Sequence, residues 1–212
     1  LLPGSHNMPY FGGPAGVEWT GAWNGVGLRG NASGPMLIRD CHVDDNARLT
    51  NEGEGFKTMM EIVLPWFQIG SAAVSTGIAE ASFSGTVGHT GKATFEHLKE
   101  TLASGLPGIR ARLARMRLAV DSARAYLDHT LTRIEKGAPD AMLFVLGSKA
   151  TAAEMAITVT DEAMRACGGA AFSRELSVER NFRDARAASV MAPTTDVLYD
   201  FIGKAVSGLP LF

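Results

Sequence analysis

Residues 183–196, RDARAASVMAPTTD, open on paired charges, pass through small side chains and break at Ala192-Pro193 before the polar Thr194-Thr195-Asp196. A proline stops a helix, and threonine or aspartate just beyond it starts another by accepting free backbone N–H groups. Such a turn is also a place to present a general base, which must bring a carboxylate or imidazole within reach of the proton it removes. Here Ala192 puts a methyl group in the turn. A second candidate, Arg165, precedes Cys167-Gly168-Gly169, where a cation would oppose the carbonyl end of a helix that stops at glycine. The five histidines (His6, His42, His89, His97 and His129) and the cysteines Cys41 and Cys167 show no zinc-type spacing, so no metal site is expected. Both cysteines read as reduced thiols of a cytosolic-type compartment.

The elements that must position these groups are bounded by composition. Lys plus Arg number 20 against 22 Asp plus Glu in 212 residues, a balance with no long-range pull on polyanions, so nucleic acid is not an expected partner. No apolar run reaches the roughly 18 residues that a bilayer requires. Even AMLFVLGSKATAAEMAITV carries Lys149 and Glu154, so no membrane span is expected and the chain reads as soluble. The start, LLPGSHNMPYFGG, has no initiator methionine, basic n-region or long apolar core, and reads as a cut inside a longer protein.

Residues 1–48, rich in Gly, Pro and Asn, read as strands and loops, with PMLIRDCHV as a short strand after the turn RGNASG. From NEGEGFKTMMEIVLPWFQIG onward the pattern is helical, with Glu52 and Glu54 where carboxylates favour a helix start. A second helix shows its period in Ile109, Leu113, Met116, Val120, Ala123, Leu127, Leu131 and Ile134. A third, from Pro139-Asp140 to Gly168-Gly169, is apolar on nearly every side and is expected innermost; a fourth spans about Thr195 to Val206. The expected fold is therefore mainly α: an up-down-up-down four-helix bundle after a short β-rich segment. The weakly patterned SGTVGHTGKATFEHLKETLASGLPG reads as a mobile excursion between the first two helices. RARLARMR, residues 110–117, reads as solvated helix surface once wound at 100° per residue. Met59, Met60 and Trp66, at helical spacing, read as core.

Three motifs in fixed order, GVGLRGNASGPM, EGEGFKTMM and CGGAAFSRELSVERNFRDAR, together resemble the acyl-CoA dehydrogenase family of flavoproteins over essentially the whole chain. The resemblance implies that residues 1–48 end a middle β-domain and residues 49–212 form the C-terminal four-helix bundle that builds a homo-oligomer, a dimer or tetramer. An N-terminal domain would be absent, so this would be a fragment, inactive alone and without retained flavin. It also implies FAD, an acyl-CoA substrate in fatty acid metabolism, and a cytoplasmic or mitochondrial-matrix setting. In that family a carboxylate removes the α-proton of a thioester while flavin takes a hydride from the β-carbon. The ribityl hydroxyl and the backbone N–H of the base residue polarise the thioester oxygen.

Residue by residue, the family's base loop falls on Met191-Ala192-Pro193-Thr194, so the base position is Ala192 and the catalytic residue is unknown. An alternative base position on the first helix falls at about Trp66, beside Pro65 and Phe67, and is also without a carboxylate. Trp66, Phe67, Met191 and Ala192 are then the implied substrate pocket. Ala192 keeps its N–H, so a thioester could bind without being desaturated. The implied cofactor contacts are Arg165, where the family has Gln, with Gly168 and Gly169 for a pyrophosphate, and Thr194 and Asp196; a helix C-terminal cation and plain N-caps remain the other readings. An R-x-x-F-G signature is missing near Ala93, where only Lys92 and Phe95 stand nearby. The charged Glu175, Glu179, Arg180, Arg183, Asp184 and Arg186 are expected to tie the inner helix to the last one. Two alternatives remain: a flavin-dependent monooxygenase of the same fold, and a non-catalytic helical oligomerisation module. Faces that normally dock on the missing domain should leave apolar patches.

Overall fold

The computed structural model describes residues 15–31, 33–95, 97 and 99–210; His6 and the rest of residues 1–14 lie outside them. Two short strands, β1 (Val17–Trp19) and β2 (Met36–Ile38), pair antiparallel with Glu18 opposite Leu37. Helices follow: α1 (Gly55–Thr58), α2 (Leu64–Thr90), α3 (Leu102–Gly105), α4 (Pro107–Glu135), α5 (Ala141–Cys167), α6 (Val178–Asp184), α7 (Ala187–Val190) and α8 (Thr195–Val206). The mainly α fold expected from periodicity is what the chain adopts.

A π-helical turn, Met59–Val63, joins α1 to α2 just before Pro65. Proline offers no N–H to the carbonyl four residues back and its ring crowds that carbonyl, so a widened turn is the local accommodation.

Helix α5 is the hub, with 15 of its 27 residues buried against four of 29 in α4. Small residues explain its position. Ala152, Ala153, Ala156 and Ala163 on α5, and Ala72 and Ala79 on α2, are fully buried and let the two backbones lie close. Phe67 of α2 lies by Lys149 and Thr86 by Cys167, so α2 and α5 run parallel. Helix α4 runs against α5, with Arg112 near one end paired to Glu162 and Tyr126 beside Gly147. Leu198 of α8, fully buried, packs on Leu146 and Ala150, and its burial contributes about 1.5–3 kcal/mol. Buried hydroxyls on α2 and α5 bond back to the preceding turn, as Thr76 does to Ala72 (2.8 Å), Thr86 to Ser82 (2.7 Å) and Thr160 to Ala156 (2.8 Å).

Five expectations are corrected. The supposed excursion from Ser84 is helical as far as Thr90; its glycines and threonines have poor propensity, but Thr86 and Thr90 are buried and bonded within α2. Beyond it, Thr94 pairs with Thr101 in an antiparallel bridge. The arginines of residues 110–117 are not simply solvated. Arg112 and Arg115 both reach Glu162 on α5, while Arg117 reaches Glu80 on α2 and stacks over Phe83. Long side chains at the wheel's edge span to neighbouring helices, which a wheel of one helix cannot display. Met59 and Trp66 are exposed, Trp66 at 71%, and with Phe56, Ile62 and Val63 they form an uncovered apolar face. Finally, Gly55–Thr90 and Ala141–Phe172 are long and apolar enough, by length and composition, to cross a membrane. The second is mostly buried inside the bundle, where an apolar circumference serves packing. The fifth correction, to the charged cluster, belongs to the site below.

Candidate functional site

The turn between α7 and α8 is built by three local rules. Met191 N–H closes α7 on Ala187 (2.9 Å), Pro193 prevents its continuation, and Thr194 caps α8 by accepting Val197 N–H (3.4 Å). The Ala192-Pro193 peptide is cis. Beside this turn lies an apolar cleft of about 260 Å³, lined among others by Leu28, Phe67, Val74, Ile78, Asp184 and Met191. Of the four expected pocket residues, Phe67 and Met191 meet here. Ala192 sits exposed at the turn without lining the cleft, and Trp66 points to the uncovered face of α2 instead.

Asp184 is the carboxylate that borders the cleft, and it is already engaged, accepting the N–H of Leu28 at 2.6 Å. Its neighbour Arg183 pairs with Glu179 (2.8 Å) and donates to the Val26 carbonyl (2.8 Å). The cluster therefore ties α6 to residues 26–28 rather than to α8. Only Arg186 reaches inward, to the Thr160 hydroxyl of α5 (3.1 Å) over the face of Phe182. Gly27 is required at this seam, since a Cβ there would lie 2.6 Å from the Arg183 carbonyl oxygen.

Sequence reasoning missed Lys149. It had served only as a charge interrupting an apolar run, yet it is 1% exposed and faces the turn from behind. Its Nζ donates to the carbonyls of Met191 (2.7 Å) and Pro193 (2.6 Å) and lies 5.9 Å from the centre of the Phe67 ring. Burial pushes its ammonium below the usual lysine range. The available signal was a lysine in AMLFVLGSKATAA, a stretch with no other charge, because an unpaired lysine is rarely fully buried.

A second cleft, about 430 Å³, opens where α5 ends. Arg165, Gly168 and Gly169 line it together, with His89, Ala93 and Phe95 from the end of α2 and the loop after it. Gly168 has φ +57°, ψ −138°, a conformation that only glycine adopts readily, and a Cβ on Gly168 or Gly169 would meet nothing within 4 Å. Arg165 is tied to Asp161 one turn back (2.7 Å), which raises its pKa further through that hydrogen bond. Thr194 and Asp196 line neither this cleft nor the apolar one; Thr194 has its capping role, and Asp196 is exposed in the first turn of α8. Among the described residues no group of three His, Cys, Asp or Glu is gathered as metal ligands would be.

Comparison with known proteins agrees with this architecture. Residues 53–207 match the profile of the acyl-CoA dehydrogenase C-terminal domain. The short-chain specific acyl-CoA dehydrogenase of Megasphaera elsdenii is 28% identical over 211 residues, covering 96% of this chain and 52% of that protein. The human mitochondrial short-chain specific enzyme is 27% identical over 177 residues, or 81% of this chain and 40% of that one. Among solved structures, butyryl-CoA dehydrogenase from Megasphaera elsdenii superposes with a TM-score of 0.82 at 27% identity, covering 92% of this chain and 50% of its own. A glutaryl-coenzyme A dehydrogenase bound to glutaryl-CoA shares the fold at a TM-score of 0.83 and 19% identity, over 93% of this chain and 49% of its own. The chain thus spans about half the length of the relatives it matches. By fold, by motif order and by a profile match across most of its length, it belongs to the acyl-CoA dehydrogenase family, of which it carries the C-terminal helical domain.

Proposed function

We propose that the whole protein carrying this chain is an FAD-dependent oxidoreductase acting on an acyl-CoA thioester, with its proton acceptor somewhere other than the turn at Ala192. The observation that carries this reading is the apolar cleft walled by Phe67 and Met191, the latter from the turn in which Ala192 stands without a carboxylate. Phe67, Val74 and Met191 would hold the acyl chain. Asp184 remains a positioning group, since its carboxylate already holds Leu28. In this reading residues 1–48 close a middle β-domain, residues 49–212 form the bundle, and the exposed apolar face of α1 and α2 packs on the rest of the protein or on a second copy. Free cysteines at 41 and 167 accord with a cytoplasmic or matrix setting.

The chain's residues fit FAD at one end. The open glycine backbone at Gly168 and Gly169, with the exposed guanidinium of Arg165 beside it, would suit a pyrophosphate. When bound, FAD supplies the hydride acceptor. The isolated chain is expected not to retain flavin.

Anaerobic titration of the whole protein with acyl-CoAs of increasing chain length tests the reading. Bleaching of the flavin absorbance by one class of thioester is expected; no bleaching with any would refute it. The absent carboxylate favours one rival, a flavin-dependent monooxygenase. Hydroxylation that depends on oxygen and an external reductant, with no response to thioesters, would establish that rival instead.

A further inference from the structure

We propose that the apolar cleft takes an acyl chain ending in a second carboxylate, which Arg29 and Arg180 at its far end select over a methyl terminus. The proposal rests on the thioester reading above, with the thioester at the Met191 turn, and names the class of acyl group.

The cleft has two unlike ends. Phe67 lies by Lys149, whose Nζ donates to the Met191 carbonyl (2.7 Å), so Phe67 and Met191 mark one end. Helix α6 sets the other. A Cβ on Gly85 would lie 3.5 Å from the hydroxyl of Ser177, just before α6, while Asp184 at its last residue lines the cleft with Ile78, so α6 runs back along α2. Between Phe67 and Ile78 the axis of α2 rises about 16 Å, room for an extended chain. At the far end Leu28 and Asp184 also line a second cleft, of about 470 Å³, whose walls carry Arg29, Arg180 and Arg183.

Charge decides what that second cleft suits. Arg183 is paired with Glu179 (2.8 Å), and the Asp184 carboxylate already accepts the Leu28 N–H. Arg29 donates its Nε to the Gly25 carbonyl (3.1 Å), an acceptor without charge, and Arg180 has no hydrogen-bond or ion-pair partner among the described residues. Two guanidiniums thus face the single carboxylate of Asp184 and leave the far end cationic. A guanidinium fork grips a carboxylate through two parallel charge-assisted bonds, whereas a methyl group gains nothing from it. Val74 and Ile78 earlier in the cleft offer no partner to a charge, so an anion halfway along the chain would be buried at a cost. The anion therefore belongs at the end of the chain.

The test uses the whole protein and anaerobic stopped-flow absorbance. Flavin bleaching is followed with adipoyl-, suberoyl-, sebacoyl- and dodecanedioyl-CoA, each against its methyl-ended counterpart, hexanoyl-, octanoyl-, decanoyl- or dodecanoyl-CoA. At one length the dicarboxylic thioester should be favoured about tenfold or more in second-order rate constant. Arg29→Gln and Arg180→Gln should each cut that ratio about tenfold, and Arg180→Glu should invert it. Both side chains are exposed, so the bundle does not depend on them. The ratio compares two thioesters on one protein, so a general loss of activity does not disturb it. Bleaching by the methyl-ended thioesters with no dicarboxylic preference at any length would overturn this proposal and leave the thioester reading standing. A preference that all three variants keep would likewise overturn it alone. No bleaching with any thioester would remove both.

Discussion

The carboxylate of Asp184 accepts the backbone N–H of Leu28 at 2.6 Å across 156 residues of sequence. Leu28 has φ +51°, a left-handed conformation that disfavours a branched side chain by about 1–2 kcal/mol. One charge-assisted hydrogen bond thus holds a strained residue of the N-terminal segment against α6 and the apolar cleft. Replacing Asp184 by Ala should release residues 26–31 and destabilise the protein by about 1–3 kcal/mol. Asn, which keeps an acceptor oxygen, should lose less. Urea denaturation and limited proteolysis at residues 26–31 read both effects.

Ala192 is exposed, so a longer side chain has room there. With proton removal served from elsewhere, Ala192→Glu should leave flavin reduction by a saturating acyl-CoA within about tenfold of the native rate, whereas a rise of about 10²- to 10⁴-fold, the usual worth of a positioned base, would mean that no other group serves. Stopped-flow absorbance under anaerobic conditions measures it.

Three carboxylates are held below their ordinary values, each first by a hydrogen bond from arginine: Asp121 by Arg117, Asp140 by Arg133 and Glu179 by Arg183. A depressed folded pKa means that the unfolded chain takes up protons first as the pH falls. Their stabilisation is complete above the ordinary carboxylate range, about pH 4, and is lost as the pH drops through the lowered folded values. Thermal midpoints should hold between neutral pH and about 5 and decline below about 4. Arg133→Gln should make that acid decline shallower.

Gly147 on α5 faces Tyr126 on α4 so closely that a Cβ would collide with the phenol oxygen. Gly147→Ala should destabilise by about 1–3 kcal/mol, against the gain in helix propensity that alanine normally brings. Adding Tyr126→Phe removes the colliding atom and should recover part of the loss, a coupling that a double-mutant cycle in urea would show.

How much was legible in the sequence follows from the range of each interaction. Periodicity is local, so Ile109 to Ile134 could be read as one long helix, and the proline and glycine at the two ends of α5 marked its limits. The order of three motifs carries the family, and Arg165, Gly168 and Gly169, close in sequence, line one cleft. The turn at Ala192-Pro193 was likewise visible as a helix break, and the methyl group at Ala192 is a property of the sequence alone.

What only the tertiary structure decided is which distant groups meet. Nothing within a few residues of Lys149 hints that it ends between the carbonyls of Met191 and Pro193, because both acceptors are backbone atoms brought there by the packing of α8 on α5. Asp184 pairs with an amide in the N-terminal segment, and Arg112 and Arg117 span to two different helices. Trp66 and Met59 have the hydrophobicity of core residues and stand exposed, since burial depends on whether another surface arrives to cover them. Composition and spacing fix what each segment can form, whereas partners, burial and charge environment are set by the geometry of assembly.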